Sequence, residues 1–191
     1  MEKLGKLTIF LIPVGIAVNI VGGQLAILLK LPIWLDSIGT ILIAAICGLV
    51  PGLIVAAITQ VINAISLPTI LPYMIVGFAM AIISSILAKK YFFNSIGKSF
   101  LLGIIIAIVT TAIAVPIDVI VFGGFIGTGN SVVAAALMTM GFSVPIAVTI
   151  SSFSFGLVDK VLSVLVCYFI IKSMPSHFLV KLPMGKFFTR E

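Results

Sequence analysis

Apolar residues run along this chain in six long stretches, separated by short polar or glycine- and proline-bearing segments. The stretches lie at approximately 7–29, 35–49, 51–66, 70–88, 99–122 and 144–172. A helix needs roughly 20 apolar residues to cross the hydrocarbon core of a bilayer. The pattern predicts an all-α membrane protein, a six-helix transmembrane bundle in a single integral domain. The second and third stretches are short and meet at the tight turn Gly48-Leu49-Val50-Pro51-Gly52. The sixth is long, with a candidate break near Gly156. Between the fifth and sixth lies a glycine-rich segment, Gly123–Gly141. Its apolar part, Val132–Met140, is too short to span and reads as a re-entrant or interfacial helix. The first stretch runs to Leu29 with no small-x-small cleavage site after a short core, so it reads as a retained span and not a signal peptide.

Helical spacing then predicts which faces look inward. Contact faces between helices in lipid favour small residues, and neighbours on one face recur every three or four positions. Gly15, Asn19, Gly22 and Ala26 form such a stripe on the first stretch. Tyr73, Gly77, Ala81, Ser84 and Ala88 form one on the fourth. The fifth carries Gly103, Ala107, Thr111, Ala114 and Asp118, and the sixth Ser152, Gly156, Asp159, Ser163 and Cys167. Two aspartates therefore continue stripes of small residues, which packing alone does not require.

Composition agrees with lipid as the solvent. The chain is 62% hydrophobic and 8% charged, with a mean hydropathy of +1.42. A soluble domain of this size has too little interior for so much apolar side chain. The net charge of +6 could suggest nucleic acid. The lysines sit at span ends instead, where the positive-inside rule places them, so no nucleic acid is expected. Counted from a cytoplasmic start, the inner segments hold Lys3, Lys6, Lys89, Lys90, Lys98, Lys172, Lys181, Lys186 and Arg190. The outer segments hold only Lys30, and Lys160 lies within the sixth span. Both termini are therefore expected in the cytoplasm, with residues 173–191 as a basic tail near anionic lipid. Cys47 and Cys167 fall in apolar stretches and read as packing residues.

Ionisable groups inside a membrane are costly and usually line a site or pathway. Of the five acidic residues, Asp36, Asp118 and Asp159 sit in or beside the apolar stretches. Threaded through a bilayer, all three fall toward the outer side, as do Gln24, Gln60 and Asn63. Trp34 and Tyr73 lie near the same boundary and suit either an interfacial anchor or a pocket wall. Lys160 either joins these groups, pairing with Asp118 or Asp36 or with a ligand oxygen, or snorkels outward. Polar groups along the whole depth would suit a channel or proton relay. Polar groups in one half suit a cup that takes a small molecule from outside.

Several chemistries lack their motifs. Gly127-Thr128-Gly129-Asn130 is not a phosphate-binding loop, because the Gly-Lys-Ser/Thr ending is missing. The chain has no His-Glu-x-x-His, Cys-x-x-Cys or Gly-x-Ser-x-Gly pattern. An aspartyl protease needs two carboxylates sharing a proton, in a setting not found here. No enzyme activity and no cofactor are expected.

The segments Leu31-Pro-Ile-Trp-Leu-Asp-Ser-Ile-Gly-Thr40, Gly48-Leu-Val-Pro-Gly52 and Val158-Asp-Lys-Val161 carry a family resemblance across nearly the whole chain. In these and in its six short spans, the chain resembles the substrate-binding S component of an energy-coupling factor vitamin transporter. The resemblance implies high-affinity capture of a small vitamin or precursor from outside. It further implies docking on a transmembrane coupling subunit driven by two ATPase subunits, with toppling in the membrane to release the ligand. Small residues of the first helices contact that subunit in the family, often as Ala-x-x-x-Ala. Here Gly15, Gly22 and Ala26 lie on the first span, Gly22 and Ala26 toward its outer end. Ala44-x-x-x-Gly48 at the inner end of the second span is the nearest substitute. Three carboxylates against few lysines favour a basic or donor-bearing ring, such as a pyridoxine-like vitamin or a hydroxymethylpyrimidine. Trp34, Tyr73 and Phe122 are candidates to stack on it. Two other readings stay open: a stand-alone secondary transporter or channel for a small polar solute, and a structural membrane protein whose acids lock helices together.

Overall fold

The structure, a computed structural model, describes residues 5–29, 31, 33–124 and 129–188. Lys3, Lys30, Gly127, Thr128 and Arg190 lie outside the described residues. Eight α-helices follow in order among the described residues: α1 Lys6–Leu28, α2 Ile38–Cys47, α3 Leu49–Ser66, α4 Met74–Ala88, α5 Ile96–Ile120, α6 Gly129–Thr139, α7 Val144–Ser173 and α8 Ser176–Leu179. No strand occurs among the described residues.

Five helical segments, Lys6–Ala26, Leu49–Ser66, Pro68–Ala88, Ile96–Ile120 and Val144–Ser173, are long and apolar enough to cross a membrane. Large apolar side chains point off the bundle, among them Phe10 at 74%, Ile65 at 81% and Ile120 at 82% exposure. In water such a surface would drive aggregation; in lipid it costs nothing. These are the marks of a multi-pass membrane protein.

The second apolar stretch behaves differently from the rest. Helix α2 has only 10 residues, about 15 Å at 1.5 Å per residue and half of a hydrocarbon core. It is also the most enclosed helix: every residue from Gly39 to Cys47 is buried. It packs against α1, α3, α4 and α7. The residues before it, 33–37, are not helical. Irregular backbone at such depth is tolerated only inside protein or along a cavity, where other groups satisfy its N–H and C=O. Gly48 then turns the chain at φ 101°, a value that suits glycine, and α3 begins at once.

The stripes of small residues lie inward. Gly15, Asn19, Ala26, Gly77, Ala81, Ser84, Gly103, Ala107, Gly156 and Ser163 are all buried. Some approaches are very close. A Cβ on Gly39 would strike the Gly15 carbonyl oxygen, and one on Gly103 would lie 2.6 Å from Val161 Cα. Such spacing lets α1 meet α2 and α5 meet α7 backbone to backbone. Helix α7 runs unbroken through Gly156.

Chain direction alternates so that two ends can be told apart. One end gathers the start of α1, the Cys47–Pro51 turn, the Lys89–Ser95 connection and residues 174–188. The exposed lysines Lys6, Lys89, Lys90, Lys98, Lys172, Lys181 and Lys186 all lie at this lysine end. Residues 174–188, the described part of the basic tail, fold back there. Leu179, Leu182 and Met184 join the main apolar cluster with Ile46 and Phe93. The Met184 N–H donates to the Ile46 carbonyl at 3.1 Å, capping the end of α2. The rings of Phe187 and Phe188 meet Tyr91 and Phe93 edge to face.

Candidate functional site

The opposite end is hollow. A cavity of about 650 Å³ opens among α1, α3, α4, α5, α7 and the segment before α2. Small-molecule sites commonly measure about 300–1,000 Å³. It reaches from Asn63 and Ser66 near the helix ends down to Lys160, which lies at the middle of the 30-residue α7. Apolar side chains such as Ile20, Ile33, Val76 and Met80 form much of the wall.

The residues predicted from sequence are brought largely together. Gln24, Trp34, Asp36, Gln60 and Asn63 line the cavity, as do Tyr73, Asp118 and Lys160. Gln24 stands exposed at the mouth, while Asp118 and Lys160 are buried. The Gln60 side-chain oxygen is buried with no partner among the described residues. An unpaired acceptor of this kind is costly unless something else donates to it.

Two polar clusters stand apart within this wall. In the first, the Tyr73 hydroxyl donates to Asp118 Oδ1, and Ser152 Oγ donates to Asp118 Oδ2 at 3.3 Å. The Tyr73 ring stacks on Phe122, with centroids 6.2 Å apart and planes 7° from parallel. In the second, Lys160 Nζ pairs with Asp159 Oδ2 at 2.5 Å and donates to Ser37 Oγ at 3.1 Å. Asp36 is close enough for its charge to act on Lys160.

Asp159 is placed differently from the other carboxylates. It is fully buried behind the cavity wall and is not part of the lining. Its Oδ1 accepts the backbone N–H of Trp34 at 3.1 Å and of Leu35 at 2.8 Å. Leu35 has φ 51°, a left-handed conformation uncommon for a leucine. Asp159 thus holds a strained piece of non-helical backbone against α7. Asn19 does the same one turn further on. Its Oδ1 accepts the Gly39 N–H at 2.7 Å, and its Nδ2 donates to Thr40 and Thr59. These two side chains, from α7 and α1, satisfy the irregular entry to α2.

Sequence reasoning missed Ser37, which bonds Lys160, and the lining residues Ser66 and Thr69. Ser37 carried a signal, since it follows Asp36 at a helix start. The positions expected to dock a partner lie inside the bundle. Gly15, Ala26 and Ala44 are buried, and Gly22 backs onto the Leu35 carbonyl. Ala44 packs on Gly52 at the α2–α3 turn, and Gly48 forms the turn itself. Small residues serve close intramolecular helix contacts here. No group of three or more histidine, cysteine or acidic residues suited to a metal occurs among the described residues.

No protein-family model, curated protein or solved structure matches the chain.

Proposed function

We propose that this chain is the substrate-binding subunit of an ATP-driven importer of the energy-coupling factor type. It resides in a prokaryotic plasma membrane and crosses it six times, the short α2 and its non-helical entry making the second crossing. Both termini and the lysine end face the cytoplasm, and the cavity opens outward. The chain binds a small water-soluble vitamin or precursor, with a pyridoxine-like or hydroxymethylpyrimidine-like ring preferred. It docks on a transmembrane coupling subunit with two ATPase subunits and performs no catalysis of its own.

The observation that carries this reading is the half-depth cavity. It is lined by carboxylates and amides at one end of the bundle, while the other end is filled by apolar side chains. A chain that binds without conducting needs a cup and a closed base. Since Gly15, Gly22, Ala26 and Ala44 are used within the bundle, docking falls to outward helix faces. The test is mild-detergent purification from native membranes, followed by identification of co-purifying proteins. Recovery of a second membrane protein with ATPases supports the reading.

The broken second crossing favours one alternative, a stand-alone secondary transporter. Such transporters place discontinuous helices at their binding sites. Uptake of solute by the purified chain alone, in vesicles carrying an ion gradient, would select that reading over the first.

A further inference from the structure

The carboxylates of the cavity region are not equivalent. The positive charge of Lys160 is already met by Asp159 at 2.5 Å and is felt by Asp36. Among the described residues Asp118 has no such partner: its side chain is met by the hydroxyls of Tyr73 and Ser152. Among the described residues, Lys160 is the one cationic side chain in the cavity wall. Asp118 is 3% exposed. A carboxylate so enclosed, in a bundle surrounded by lipid, is held ionised only by a counter-charge beside it. Carboxylate oxygens offer about four acceptor positions, and the two hydroxyls fill two of them.

We infer that the cavity takes a small organic cation whose charged group sits against Asp118, on the wall formed by Tyr73 and Ser152. The remainder of the cation lies along the apolar wall and the faces of Tyr73 and Trp34, which attract cations through their ring quadrupoles. Asp36 and Lys160, which bring both signs to the wall, serve neutral polar groups of the same ligand. This inference rests on the cavity being a ligand site, and it narrows what the ligand is.

Trp34 is the sole tryptophan of the chain and lines the cavity, so its fluorescence reports occupancy. The experiment titrates the purified full-length chain, in detergent, with benzylammonium, benzyl alcohol and benzoate, which share a ring and differ in charge. The expected result is saturable change with benzylammonium at a Kd at least about 10-fold below that of the alcohol, with benzoate weakest, as a charge-assisted contact provides. Asp118→Asn removes the preference for the cation, and Tyr73→Phe weakens binding while keeping that order. Equal affinities, a preference for benzoate, no saturable change with the cation, or a preference that survives in folded Asp118→Asn each overturn the inference. The wild-type series decides even if the variant does not fold. Failure of the importer reading is separable. A chain that prefers cations but co-purifies with no ATPase keeps this inference and loses that reading. ATP-driven uptake of an anion does the reverse.

Discussion

At the lysine end, Ile46, Phe93, Leu179 and Met184 close the bundle with apolar contacts. At the other end a cavity of about 650 Å³ separates the same helices, and polar joints hold its walls in place. The first end follows the usual rule of core packing. The second holds its shape through a few hydrogen bonds between distant segments, such as Asp159 to Trp34 and Leu35. A cavity cannot be supported by filling it. Its walls must be tied by groups that stand beside the hollow, and here those groups are buried carboxylate and amide side chains.

The largest effect is expected at Asp159. Asp159→Ala removes the acceptor of two backbone N–H groups and leaves Lys160 buried without its closest partner. Losing one member of a buried pair costs about 3–5 kcal/mol. Thermal unfolding in detergent is expected to show that loss, with ligand affinity falling too because the 33–37 segment is released. Phe93→Ala tests the closed end. Its 2% exposed ring packs against Phe188, and truncating such a ring costs about 3–5 kcal/mol, reduced where the site collapses. The same melting experiment should show that loss, while affinity in the cavity stays near wild type. If Phe93→Ala abolishes binding in protein that remains folded, the two ends are not independent.

Two smaller effects are expected at Asn19 and Ile65. Asn19→Ala strands the buried Gly39 N–H, which costs about 1–3 kcal/mol. Hydrogen exchange at Gly39 should rise more than at the α5–α7 contact. Ile65→Ala, at a side chain 81% exposed, should change stability by less than about 0.5 kcal/mol. A large loss there would show that the exposed apolar face is covered by protein.

Much of this arrangement was readable from residue spacing. The inward faces of α1, α4, α5 and α7 follow from small residues three and four apart, because close helix contact in lipid depends on side-chain size and periodicity, and both are local. The convergence of Asp36, Asp118, Gln60 and Asn63 on one end followed from depth along each helix. Other features were hidden for physical reasons. Residues 35–49 are apolar apart from Asp36, Ser37 and Thr40, and nothing in that composition separates a full crossing from a 10-residue helix with an irregular entry. The task of Asp159 depends on backbone more than a hundred residues away, so its spacing placed it beside the other carboxylates as a ligand residue. The lysines after Ser173 mark a basic tail near anionic lipid and do not reveal its packing. The better signal was Leu179, Leu182 and Met184, an apolar set that the cluster beneath α2 absorbs.

Capture of a small molecule is the proposed role of the hollow end. Native mass spectrometry of gently purified protein, incubated with a panel of B vitamins and their precursors, tests it most directly. One bound small molecule is expected on the wild-type chain, with a much smaller bound fraction on folded Asp118→Asn. A wild-type chain that stays empty across the whole panel would contradict it.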